Sequence, residues 1–147
     1  MKKILAVLGL TALSLLAQAQ EFKPDIWSKN LITDEVLRFC NENFPPPPYK
    51  QPVIWVRMQP LHPRFLATAE ELEHGEYVIN INIMYEDFEM ERTFIHELQH
   101  ILQFYQGRLK RLEEGFFWEG ALYTFDWPYP ARPWEIEADQ AASNHCD

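Results

Sequence analysis

Positive charge is in short supply: 13 Lys and Arg stand against 22 Asp and Glu, giving a formal net charge of −9 and a pI of about 5. A chain of that sign repels phosphate backbones, which argues against a nucleic-acid partner. Glycine is scarce too, five residues against eleven prolines, so the loops should be well defined. Long apolar runs are missing after the N-terminal segment. With 47% hydrophobic and 24% charged residues, the composition excludes a collagen, a low-complexity disordered chain and a multi-pass membrane protein. No internal repeat is visible in the 147 residues, and a single domain over residues 20–147 with a real hydrophobic core is expected. Aromatic side chains are plentiful at 14%, enough for a dense core or an aromatic-lined groove.

The first residues carry an export pattern. Lys2 and Lys3 give a positive start, Ile4 to Ala17 is uncharged and mostly apolar, and Ala17-Gln18-Ala19 puts small residues where a signal peptidase reads. The run falls short of the roughly 20 apolar residues of a membrane span. Residues 1–19 are therefore expected to be a cleaved signal peptide, leaving an exported protein (periplasmic or secreted) without stable membrane insertion. Export changes how Cys40 and Cys146 read. Two cysteines in an oxidising compartment permit one disulfide, which would tie the first mature helix to the last.

Thr33 followed by Asp34 and Glu35 predicts a capped helix ending near Asn43. Pro45 to Pro48 forbids helix and predicts a stiff connector. Strands are predicted at Val53–Met58, around Phe65–Ala69 and, from clean alternation, at Tyr77–Ile83. A long helix should run from about Asp87 to Gln106, closed by Gly107. Arg108–Glu114 reads as a connection, and the aromatics from Phe116 to Phe125 as a hairpin. Pro133 suits the first turn of a final helix reaching about His145.

The long helix holds the chemistry. His96-Glu97-Leu98-Gln99-His100 fits H-E-x-x-H, and about 0.02 such motifs are expected by chance at this composition. Residues i and i+4 share a helix face, so both imidazoles can reach one Zn²⁺. Glu97 projects beside the metal, placed to take a proton from an activated water. Phe94, Leu98, Ile101, Leu102 and Tyr105 form the opposite stripe, expected to pack on a sheet while the histidines face a cleft.

A catalytic zinc needs a third protein ligand. One pattern places a third His six residues after the second, but Gln106 stands there. The other uses a Glu on a second helix, and Glu135-Ile136-Glu137-Ala138-Asp139 supplies it. Glu135 and Asp139 share a face, so Glu135 can bind metal while Asp139 accepts the outer N–H of a ligating imidazole. Ala138 and Ala142 on that side allow close helix approach. Glu137 and His145 are the competing ligands. Tyr123, Tyr129 and Arg132 are candidate donors to a transition-state oxyanion. The Tyr77–Ile83 strand is a candidate edge for an extended peptide. His62 and His74 read as surface histidines. Phe116, Phe117, Trp118, Trp127 and Trp134 read as hairpin packing, or more sharply as an apolar substrate pocket.

His96-Glu97-x-x-His100 followed by Glu135-x-x-Ala138-Asp139 resembles the gluzincin zinc metallopeptidases, in a minimal form, over roughly residues 76–145. The resemblance implies one Zn²⁺ held by His, His and Glu, a strand beside the cleft, and hydrolysis of peptide bonds in a peptide, a protein or a cell-wall cross-link. The expected fold is α+β, a small mixed sheet packed on the motif helix, with a C-terminal helix supplying the third ligand. The alternative is a non-catalytic zinc-binding or interaction protein that keeps the same site.

Overall fold

A computed structural model describes residues 21–26, 28–46, 49–85 and 89–146. The expected signal peptide lies outside the described residues, as do Pro47, Pro48 and the expected helix start at Asp87.

The chain is α+β. Strand β1 (Glu21–Pro24) leads through a short 3-10 turn to helix α1 (Asp34–Asn43). Thr33 caps α1, its side-chain oxygen accepting the Val36 N–H at 3.3 Å, a contact worth about 1 kcal/mol. Strands β2 (Val53–Gln59), β3 (Ala67–Glu71) and β4 (Glu76–Asn82) complete a four-stranded sheet in the order β1-β2-β4-β3. β1, β2 and β4 run parallel, and β3 pairs antiparallel with β4. Helix α2 (Met90–Tyr105) follows. Then comes an antiparallel sheet of β5 (Leu109–Arg111), β6 (Gly115–Trp118) and β7 (Ala121–Thr124), and finally helix α3 (Pro133–Cys146). Among the described residues no helix is long and apolar enough to cross a membrane.

Alternation sets the sheet faces. Ile54 and Val56 of β2 and Ile79 and Ile81 of β4 point into the core, all fully buried. They meet Phe94, Leu98 and Ile101 of α2 and Val36 and Phe39 of α1, so the predicted apolar stripe of α2 packs as expected. Truncating Leu98 to Ala in such a core costs about 2–5 kcal/mol. Gly107 ends α2 with φ +70°. Its N–H reaches the Phe104 carbonyl, and the Arg108 N–H reaches that of Gln103, a Schellman closure. Gly115 is required for another reason: a Cβ there would lie 2.1 Å from the Tyr123 carbonyl oxygen across the hairpin.

The structure departs from the sequence expectations at four places, the first an unexpected strand. β1 has only Phe22 as a strong strand former, and its pairing with β2 makes it a strand. Leu109–Arg111 is a strand instead of a connection, because Leu109 and Arg111 pair with Trp118 and Phe116. The Tyr77–Ile83 strand is interior, flanked by β2 and β3, so it has no edge to offer a peptide; β3 holds that edge. β3 also lies two residues later than the sequence suggests.

Burial pushes the Tyr77 hydroxyl up to about 12, helped by the charge of Glu71 and by Tyr105. A phenol whose folded-state pKa exceeds its ordinary value of 10.0 ionises more readily when unfolded. Its contribution is therefore whole below pH 10 and is lost as pH rises towards 12. Denaturant midpoints of wild type and Tyr77→Phe should diverge across that window, with only the wild type losing this increment.

Candidate metal centre and cleft

His96 and His100 lie one turn apart on α2. Their Nε2 atoms are 3.1 Å from each other, and Oε2 of Glu135 on α3 lies 3.3 Å from the first and 3.2 Å from the second. The three form a group able to hold a metal ion.

Several contacts fix α3 where Glu135 meets the histidines. Ala138 and Ala142 are buried against α2 and let the helices approach closely. Trp134 is 2% exposed, its ring set against Phe116, Trp118 and Tyr123 of the second sheet. Its carbonyl accepts a hydrogen bond from Gln103 Nε2 at 3.0 Å. Glu135 follows directly, in the first turn of α3, where a carboxylate suits the helix dipole.

Hydrogen bonding then decides the imidazole tautomers. His96 Nδ1 lies 2.9 Å from Asp139 Oδ1, and a carboxylate there requires Nδ1 to donate. Gln103 Nε2 donates to the Trp134 carbonyl and to Glu137 Oε2, both acceptors, which turns Gln103 Oε1 towards His100 Nδ1 at 2.9 Å. His100 therefore also donates from Nδ1. In the neutral rings both Nε2 lone pairs face Glu135, and three electron-rich atoms converge within 3.1–3.3 Å. Oε2 is buried there without a hydrogen-bond donor in acceptable geometry.

Such a cluster calls for a cation. Tetrahedral ligands at about 2.0–2.1 Å from a zinc ion sit on the order of 3.3 Å apart, so the observed triangle has the right size. The electrostatics agree in sign. Burial opposes charge on His100, but the Glu135 carboxylate its ring faces and the charge of Glu97 outweigh it, so the site favours a positive charge and pushes the imidazole up to about 9. Burial would raise Glu135, yet the imidazoles of His100 and His96 and the Tyr129 hydroxyl hold its carboxyl well below the usual range. Burial pushes Glu97 up, partly offset by the two histidines.

Glu97 is 7% exposed and lines a cleft on both of its sides. One half has a volume of about 490 Å³ and the other about 610 Å³. Asn82 shapes the wall, its amide holding the Phe65 carbonyl at 2.8 Å and its oxygen accepting the Leu61 N–H at 3.3 Å.

The remaining candidates separate clearly. Tyr129 lines both halves, and burial together with the charge of Glu135 raises its hydroxyl. Arg132 also lines both, but its guanidinium braces the loop, donating to the carbonyls of Trp127 and Phe125. Tyr123 packs edge-on against Trp127 and Trp134 and is not among the cleft-lining residues. Glu137 is committed to Arg108, in a bidentate pair at 2.9 and 3.0 Å, and to Gln103. His145 pairs with Glu35 at 3.0 Å, far along α3 from Glu135. His62 is exposed. Cys40 is buried in the core and Cys146 packs against that same core, where Phe39 and His145 meet with ring centroids 5.2 Å apart.

Sequence reasoning missed Gln103 and Asn82. Gln103 stands three residues after His100 on the same helix face, and that spacing is the signal that reveals it. Asn82 acts through the loop it ties, which spacing does not show. No family model, curated protein or solved structure matches this chain.

Proposed function

We propose that this chain is an exported zinc-dependent peptidase, a compact gluzincin-like enzyme with His96, His100 and Glu135 as ligands and Glu97 as general base. The observation that carries the reading is the triangle of two imidazole nitrogens and one carboxylate oxygen, with His100 and Glu135 buried and His96 partly so, beside a buried glutamate that faces an open cleft. Zinc bound there would supply Lewis acidity, polarising a scissile carbonyl and making water acidic enough to attack at neutral pH.

The protein's own residues do the rest. Glu97 takes the proton of the attacking water at its carboxylate and returns it to the departing amine, and a carboxyl raised by burial suits both steps. Tyr129, which lines the cleft, offers a neutral O–H donor for the developing oxyanion, its hydroxyl lying in the field of Glu135, Glu97 and Asp139. Asp139 and Gln103 hold the imidazoles in the tautomers that present Nε2. The open edge of β3, which lines the cleft, offers backbone groups to an extended peptide.

The testing experiment is metal analysis of the purified mature protein together with a peptide-library assay, with and without chelator. One zinc per chain and chelator-sensitive cleavage are expected. Zinc without any cleavage favours the non-catalytic alternative, and a metal-free protein ends the proposal. Replacing Asp139 by Asn should weaken zinc binding by about 10–100-fold, because the imidazole loses its charged partner. Competition with a chromophoric chelator measures this, and an unchanged affinity assigns Asp139 no part in the site.

A further inference from the structure

The cleft has two unlike halves, and the direction of β3 determines which part of a substrate each would meet. They share Phe65, Ala67, Glu97, Tyr129 and Arg132. The half running along β3 to Glu71 has Phe104, Leu109, Phe116, Phe125 and Trp134 in its walls. Leu109 and Trp134 are each 2% exposed and form a dry floor, while Phe125 is a half-exposed rim. The other half, at the start of β3, carries Arg64, Glu89, Arg92, Thr93 and Asp139. Arg92 is steadied there by a 2.6 Å hydrogen bond to Ser143.

A peptide adding to the open edge of β3 takes the antiparallel arrangement by default, since that ladder is the more stable per residue. β3 starts at Ala67 beside the polar half and ends at Glu71 in the aromatic half. An antiparallel substrate therefore lays its amino-terminal residues in the aromatic half and its carboxyl-terminal residues in the polar one, with Glu97 between. We propose that the protein cleaves on the carboxyl side of a large apolar or aromatic residue and takes polar residues after the cut. This rests on the peptidase reading above and adds the polarity of the substrate to it. The aromatic half has room for such a side chain, and its buried floor of Leu109 and Trp134 with the rings of Phe116 and Phe125 favours an apolar one, while Glu70, Glu71 and Arg111 line the same half further along β3.

The test is cleavage of a randomised, unstructured peptide library by the zinc-loaded protein, with cut sites mapped by mass spectrometry. Phe, Tyr, Trp, Leu or Met should be enriched at one of the two positions before the cut, with no apolar enrichment after it. Phe125→Ala, a surface change, should lower kcat/KM for those peptides by about tenfold, a larger loss than for peptides with Ala there. The inactive Glu97→Gln protein should bind a peptide with Phe before its central bond about tenfold more tightly than one with Phe after it. Chelator-sensitive cleavage with apolar residues enriched after the cut, or on neither side, overturns the polarity and leaves the peptidase reading standing. Absence of cleavage in every peptide overturns both.

Discussion

Replacing Glu97 with Gln is expected to abolish hydrolysis while zinc stays bound. The amide keeps the size of the carboxylate but cannot accept the proton of the attacking water. General-base catalysis of this kind contributes about 10²–10⁴-fold, so kcat/KM should fall by roughly 10³. Metal affinity should barely change, because the donors are His96, His100 and Glu135. Stability should hold or rise, since burial already disfavours the charged form of Glu97. Activity and zinc content of the same preparation check both halves of this prediction. Hydrolysis at the wild-type rate would remove Glu97 from the mechanism.

Glu135→Ala should have the largest effect on the metal itself. It removes the only carboxylate of the triangle and leaves two imidazoles, which do not make a closed three-point grip. Zinc affinity should fall by more than the roughly 10–100-fold expected for losing an outer partner such as Asp139. Activity should disappear with the ion. The fold should survive, because Trp134 anchors the start of α3 in its aromatic setting independently of the carboxylate. A circular dichroism spectrum like that of wild type, paired with lost zinc, is the expected signature. Retained tight zinc would move the third ligand elsewhere.

The contrast between these variants follows from what the sequence makes legible. H-E-x-x-H spacing and a downstream Glu-x-x-x-Asp are local patterns, and helical geometry converts them into shared faces. His96, His100, Glu135 and the Asp139 partner are therefore readable before any coordinates, and all four meet. The capped first helix, the Gly107 closure and the apolar stripe of α2 are equally local. What the sequence hides is set by distant pairing. β1 is a strand because β2 lies beside it, and Leu109–Arg111 is one because of β6. The order β1-β2-β4-β3 puts the most regular strand inside the sheet and gives the open edge to β3. Strand strength and strand position are different properties, and alternation reports only the first. Likewise Tyr123, Tyr129 and Arg132 are neighbours in sequence, yet only packing decides which of them reaches the cleft.

The most direct test of the central claim is the zinc content of the mature protein and of Glu135→Ala, measured by mass spectrometry after identical exposure to a mild chelator. The account predicts one zinc per chain in the wild type and almost none in the variant. A wild type that emerges without metal, or a variant that keeps its ion, contradicts it.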